Sequence, residues 1–495
     1  MNRDPSRSTV GARARSASRC VGVLLVAWAL LALAAPLPCS AAERPNIVLM
    51  LADDQGWDGL SVPMAPDIPG ASNRVFHTPR LERFALSGVR FSDAYAPGPV
   101  CSPSRISIQC GRTPAALHWT KAAPPETGHM LVEPRLVKSI APELVTIGEL
   151  LRDAGYATAH YGKWHIGGGG PGEHGYDEHD GDTGNEQAFK FTDPNPVDLF
   201  GMAERAERFM ARARDAGKPF YVQLSWNALH AAELARAATK AKYAGLAREG
   251  NAKRADVAAI TEDLDDAVGR VLDALDRLGL ADTTYVIYTS DNGSGGGKGK
   301  GNGLSGGKGS LWEGGIRVPL IVRGPGVAAG AICRVPVGGW DFLPTFAEWA
   351  GVPRDRLPRN LEGGSLAALL SAGGQGRVER AREELLFHFP HYQSGHTPHS
   401  AIRLGDLKLM RFYEDRTQKL FDLAADPGER DDLAARRPQD VDRLARRLTD
   451  RLSLVDAQIP QPDPEYREGA RAAGDEKPRG GKANRRPKDK PGRKP

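Results

Sequence analysis

Residues 46–54 read NIVLMLADD, an apolar run that ends at two adjacent aspartates. A run without apolar-polar alternation suits a strand covered on both faces, which is the condition of a parallel sheet. Four more short runs rich in β-branched and aromatic residues share this character: 156–161, 220–225 (FYVQLS), 284–289 (TYVIYT) and 318–322 (VPLIV). Helical spacing fills the intervals. Over 257–279, Ile260, Leu264, Val268, Val271, Leu272, Leu275 and Leu278 recur three and four residues apart, and Gly279 follows as a stop. A second helix is expected over 144–155, carrying Leu144, Ile147, Leu150 and Leu151 and ending at Gly155. Strands alternating with helices predict an α/β fold, a large and mostly parallel sheet sandwiched by helices.

The pattern changes near residue 380. Strand-like segments at 385–389, 400–404, 407–412 and 419–423 follow one another across short turns, and a helix is expected near 438–453. These predict a smaller antiparallel sheet with one helix, a C-terminal α+β subdomain over 381–465 behind a main domain over 43–380. No internal repeat is present.

Both ends differ from this body. Residues 21–35, VGVLLVAWALLALAA, follow an arginine-rich leader and precede Ser40-Ala41-Ala42, so residues 1–42 read as a secretory signal peptide. The run is shorter than the roughly 20 residues of a spanning helix. The expected location is therefore periplasmic or secreted, with membrane contact only during export. From 466 the chain is rich in Lys, Arg, Pro and Gly, and a disordered basic tail is expected over 466–495. The net charge is +5, yet five arginines against one aspartate occupy residues 1–42, and nine Lys or Arg against two acids occupy residues 476–495. The remainder is acidic, which excludes a nucleic-acid binder as a reading of the folded body. Cys20 and Cys39 leave with the signal, and Cys101, Cys110 and Cys333 make no disulfide framework. A Cys110–Cys333 bridge stays open.

In an open α/β sheet, ligands bind beyond the carboxyl ends of the strands. There the sequence sets Asp53 and Asp54, Lys163 and His165, Asn227 and His230, and Asp291 and Asn292. Carboxylates and an amide are hard oxygen ligands suited to Ca²⁺ or Mg²⁺ rather than zinc or copper. Helix capping explains either acidic pair alone but not both together. With Lys163, Lys308, His165 and His230 around them, these groups suit a tetrahedral oxyanion. The glycine-rich run before Lys308 is no phosphate loop, because Asn302 and Gly309 stand where that motif needs Gly and Ser or Thr.

Residues 101–112, CSPSRISIQCGR, resemble the signature of the type I, formylglycine-dependent sulfatases of the alkaline phosphatase superfamily: Cys-x-Pro-x-Arg followed by Thr-Gly-Arg, with Cys110 in place of the threonine. RPNIVLMLADDQGWD (44–58), YGKWHIG (161–167), TSDNG (289–293), GGKGSLWEGGIRVP (306–319) and FDLAADPGERDDLA (421–434) resemble the same family in the same order. The resemblance spans about 44–455 and implies a sulfuric ester hydrolase. It implies that Cys101 becomes formylglycine through a formylglycine-generating enzyme, and that one hydroxyl of the hydrate attacks sulfur. It further implies Asp53, Asp54, Asp291, Asn292 and the modified Cys101 as metal ligands. Arg105 and Lys163 would hold the diol and Asp291 would take its proton. His230 and Lys308 would assist the leaving alcohol, and His165 would deprotonate the second hydroxyl so that sulfate is expelled.

Sulfated carbohydrates are the expected substrates, with a small aryl or alkyl sulfate left open. Two alternatives remain: a phosphodiesterase or phosphonate monoester hydrolase on the same scaffold, and a non-catalytic sulfated-glycan binder should Cys101 stay unconverted. HFPHYQSGHTPH, with His388, His391, His396 and His399, is read as a loop contacting substrate; DEHDGD (177–182) either lines the pocket or forms a solvated turn.

Overall fold

Strand β1 (Asn46–Ala52) is buried along its whole length, because helices cover both faces of the sheet to which it belongs. Val48 and Met50 point into a core shared with the helices Leu199–Asp215 and Ala252–Arg277, while Ile47, Leu49 and Leu51 point into the opposite core. Successive strand residues face opposite ways, so two apolar layers need an unbroken apolar strand. The computed structural model describes residues 44–230, 232–294 and 303–467. The signal peptide expected over 1–42 lies outside the described residues, as does the expected tail beyond 467.

The other strands of this sheet are β2 (Val89–Phe91), β3 (Ala157–Gly162), β4 (Glu178–His179), β5 (Phe220–Ser225), β6 (Thr284–Ser290), β7 (Leu320–Arg323) and β8 (Ala331–Cys333), in the order β8-β2-β7-β6-β1-β5-β3-β4. β1 pairs in parallel with β5 and β6, and β3 with β5 and β4. The last expected strand is antiparallel to both of its neighbours, β6 and β2, which makes the sheet mixed. Helices α1 (Pro79–Leu86), α2 (Cys101–Cys110), α3 (Ile147–Asp153), α4 (Leu199–Asp215), α5 (Ala252–Arg277) and α6 (Phe342–Trp349) flank it. α3 starts three residues later than the sequence suggests because Thr146 and Glu149 form a capping box.

The second sheet is antiparallel, β9 (Leu385–Phe389), β10 (His399–Leu404), β11 (Leu407–Phe412) and β12 (Gln418–Asp422) in sequence order, with α7 (Pro438–Leu454) packed on it through Leu444, Leu448 and Leu452. Both sheets belong to one compact unit that starts at Pro45. Cys101, Cys110 and Cys333 are free and buried, so the Cys110–Cys333 bridge does not form. Among the described residues no helix is long and apolar enough to cross a membrane.

Candidate active site

The carboxyl ends of β1, β3 and β6 deliver Asp53 and Asp54, Lys163, and Asp291 and Asn292 to one buried cluster, all at 3% exposure or less. In a strand, two consecutive side chains would diverge. Here the chain turns into the left-handed region at Asp54 (φ 64°), and both carboxylates meet. The fourth contribution comes from α2, whose ten residues are all buried and whose first residue is Cys101. Its N-terminal end favours negative charge in front of it.

Cys101 donates its thiol to Asp53 Oδ1 at 3.5 Å and accepts from Lys308 Nζ at 3.4 Å. Lys163 Nζ stands 2.6 Å from Asp53 Oδ2, and Lys308 Nζ 2.5 Å from Asp54 Oδ1. One turn into α2, Arg105 makes an ion pair of 2.7 Å with Asp291 and donates to the Lys163 carbonyl at 2.6 Å. Asn292 Nδ2 donates to Asp54 Oδ1 at 2.8 Å, which leaves Asn292 Oδ1 buried with no hydrogen-bond partner. One ligand atom from each of Asp53, Asp54, Cys101 and Asp291 lies within 4.8 Å of the others. Converging oxygens with an orphaned amide oxygen beside them fit a hard divalent cation.

Three carboxylates face three cations. Burial alone would raise the Asp53 carboxyl, but Lys163, Arg105 and Lys308 hold it well below the usual range. Burial and Asp53 push Asp291 the other way, against Arg105 and Lys163. The Cys101 thiol is pushed up to about 12 by burial and by Asp53, against Lys163 and Lys308. An unmodified cysteine here is a neutral thiol and a poor nucleophile.

His165 and His230 stand at the rim, both partly buried. Burial, then Lys163 and Arg105, bring His165 down to about 3, and its Nδ1 lies 3.3 Å from Ser102 Oγ. Burial also lowers His230, whose field reaches Asp53 and Asp54. Both rings are neutral at pH 7, while Lys308 stays an ammonium. Beside His165 opens a cavity of about 360 Å³ lined by Ser102, Trp119, Lys138, Asp182 and Glu186 among others. Of these, Ser102 and Asp182 fall in segments that the sequence singles out. Trp119, Lys138 and Glu186 follow no strand end and no periodic pattern, so nothing local marks them.

The structure therefore divides the DEHDGD segment. Asp182 lines the cavity, whereas Asp180 accepts from Gly162 N at 2.7 Å and pairs with Arg205 at 2.8 Å, and so supports the turn after β3. The histidine-rich loop is corrected more fully. His388 is held by Ser400 (2.6 Å) and the Gln458 carbonyl (2.9 Å), His391 by Glu133 and Thr120 (both 2.7 Å), and His399 by the Thr397 carbonyl (2.6 Å) and Leu311 N (2.8 Å). With both ring nitrogens occupied and the rings buried, these three are framework; only His396 is partly open.

Comparison with known proteins agrees with this geometry. The family model described as Sulfatase matches residues 45–352, and one described as N-sulphoglucosamine sulphohydrolase, C-terminal, matches residues 307–458. Arylsulfatase A of Homo sapiens is 29% identical over 464 residues, with 81% of this chain and 85% of that protein covered. N-acetylgalactosamine-6-sulfatase of Rattus norvegicus is 31% identical over 379 residues, covering 68% and 67%. The solved structure of Ps i-CgsB in complex with k-i-k-neocarrahexaose superposes with a TM-score of 0.70 at 24% identity, covering 86% and 94%, which establishes a shared fold.

Proposed function

Because the chain belongs to the sulfatase family and is a sulfuric ester hydrolase, we propose that it cleaves sulfate monoesters of carbohydrates, using a formylglycine made from Cys101 beside a Ca²⁺ ion. The observation that carries this reading is the buried convergence of Asp53, Asp54, Asp291 and Cys101 within 4.8 Å, beside an Asn292 oxygen with no partner. The carbohydrate part is supported by relatives named for sugar substrates and ligands. It is also supported by a cavity whose Lys138, Asp182 and Glu186 offer donors and acceptors to hydroxyls.

Asp53, Asp54, Asp291 and Asn292, with the modified residue 101, would hold Ca²⁺ or Mg²⁺, which would supply Lewis-acid neutralisation of sulfate oxygens. Formylglycine at residue 101 would, as its hydrate, offer one hydroxyl to displace the alcohol from sulfur and a second whose deprotonation would expel sulfate by C–O cleavage and regenerate the aldehyde, so turnover would not stall as on serine. Around these groups the protein positions charge and moves protons. Arg105 holds Asp291 and the Lys163 carbonyl in place, and Asp291, raised by its burial, accepts the proton of the attacking hydroxyl. Lys163 keeps Asp53 ionised. Lys308, a charged ammonium 3.4 Å from the residue-101 side chain, and the neutral His230 donate to the departing alcohol oxygen. His165, neutral and oriented by Ser102, takes the proton of the second hydroxyl.

Export as a periplasmic or secreted enzyme after loss of residues 1–42, and maturation by a formylglycine-generating enzyme, complete the proposal. Its support is the apolar run 21–35 and the CSPSR sequence. The test is peptide mass spectrometry across residue 101 on protein co-produced with that enzyme, followed by a sulfate-release assay on sulfated sugars. Aldehyde or its hydrate at residue 101 together with sulfate release is the expected result. Intact thiol on protein made with an active maturation enzyme would overturn it.

A further inference from the structure

The cavity beside His165 shares Thr183 and Gln187 with a second cavity of about 310 Å³. We propose that this second cavity is a subsite for a neutral, unsulfated sugar residue of the same glycan whose sulfate ester sits at residue 101, an inference that rests on the carbohydrate reading above.

Three observations carry it. The cavities adjoin, since Thr183 and Gln187 line both. Gly184 beside them is closely packed, since a Cβ there would stand 2.8 Å from Glu186 Oε2, 3.6 Å from His165 Cδ2 and 3.7 Å from Gln187 Oε1. The lining is amphipathic. Phe191, 38% exposed, forms part of the wall, and Phe189 beside it is 50% exposed; among the described residues these are the two exposed phenylalanines. The C–H face of a pyranose ring packs on such a ring while its hydroxyls need polar partners. Those partners are present and already balanced in charge. Arg205 pairs with Asp180 at 2.8 Å and with Asp198 at 2.6 Å, and Lys190 supplies a second cation. A lining with two charges of each sign offers donors and acceptors to hydroxyls but no surplus positive charge for a sulfate.

The test compares kcat/KM on mono- and tetrasaccharides from chondroitin sulfate, heparin and kappa-carrageenan, with 4-nitrophenyl sulfate alongside, on enzyme verified as modified at residue 101. The proposal requires that the native enzyme prefer the tetrasaccharide of at least one series. It also requires that Phe191→Ala lower that tetrasaccharide-to-monosaccharide ratio about tenfold, the scale of one lost aromatic contact, with Gln187→Ala lowering it in the same direction. Leu86→Ala, at the exposed end of α1, is the control and leaves the ratio unchanged. The ratio is taken on one preparation, so a misfolded fraction cancels. Sugar turnover with a ratio unmoved by Phe191→Ala overturns the subsite alone. Turnover of 4-nitrophenyl sulfate and of no sugar in the set overturns the carbohydrate reading and the subsite with it.

Discussion

Lys163 Nζ lies 2.6 Å from Asp53 Oδ2, with both side chains fully buried. Neither charge is tolerable there alone, since removing one member of a buried pair typically costs about 3–5 kcal/mol. Lys163→Ala is therefore expected to destabilise the metal-free protein on that scale, read as a lowered urea midpoint, and to lower kcat/KM by about 100-fold or more. Added Ca²⁺ should restore more stability to the variant than it adds to the native protein, because the ion then replaces the Lys163 charge, the strongest of the cations that hold Asp53 ionised. Equal Ca²⁺ effects on both proteins would mean that Asp53 is not a ligand.

Metal dependence follows from the oxygen cluster itself. A cation bound to the native state at 100 times its Kd stabilises by about 2.7 kcal/mol. A chelator should thus lower both the melting temperature and sulfate release, with Ca²⁺ restoring both. Asn292→Ala removes the amide oxygen that has no protein partner and should shrink the Ca²⁺-induced melting shift. A shift of native size in the variant would remove Asn292 from the ligand set.

The leaving-group roles proposed for Lys308 and His230 can be separated from attack on sulfur by varying the leaving group. Nitrophenolate departs without help, whereas a sugar alkoxide needs a proton or a positive charge, a contribution of roughly 10²–10⁴ in rate. Lys308→Ala and His230→Ala should therefore depress turnover of sulfated sugars far more than that of 4-nitrophenyl sulfate, and steepen the dependence of log kcat/KM on leaving-group pKa. An equal loss on both substrates would place these residues on sulfate binding instead.

Much of this architecture was legible in the chain, and the misses have physical causes. β5 and β9 fall where their apolar runs predict, since a buried strand carries its own signal. The three-residue strands β2 and β8 are too short to show a period. The antiparallel direction of β7 is set by its pairing with β6 and β2, which no local pattern encodes. At the site, residues that follow strands could be found by asking what each strand delivers, and the cluster joins Asp53, Asp54, Lys163, Asp291 and Asn292 as that question anticipates. The histidine-rich loop misled because spacing cannot tell a histidine with two protein partners from one facing solvent. Glu133, 258 residues from His391, is invisible from the loop's own sequence.

The buried histidines also set the acid limit of the fold. Burial brings His388 down to about 4, against the support of the Gln458 carbonyl. In the unfolded chain it titrates near 6.5, so below that pH the unfolded state binds the proton that the folded state refuses. Stability rises with pH through the window from about 4 to 6.5 and is lost as pH falls through it, by about 2 kcal/mol from this group at pH 5. His388→Gln removes the titration and should flatten the fall in melting temperature between pH 7 and 5. An unchanged slope would assign the acid sensitivity to His160 and His399, each brought down to about 3 by burial.

Lys408 links the small sheet to the loop that carries Lys308. Its buried Nζ on β11 donates to the Leu311 carbonyl at 2.7 Å and pairs with Glu313 and Glu429, each at 2.8 Å. Glu429 in turn accepts from Glu313 N at 2.7 Å, so one ammonium fixes the chain three to five residues beyond Lys308. Removing it leaves two carboxylates sharing a buried site, of which one must take up a proton. Lys408→Met is thus expected to destabilise by about 3–5 kcal/mol and to lower kcat on sulfated sugars through a displaced Lys308. Glu429→Gln in the same chain removes the surplus charge. If the ammonium acts by neutralising the pair, the double variant should be more stable than Lys408→Met alone, with a coupling of about 1–3 kcal/mol in a denaturation cycle. Strictly additive losses would show that Lys408 contributes through packing and its bond to Leu311, and that the link between the sheet and Lys308 is not electrostatic.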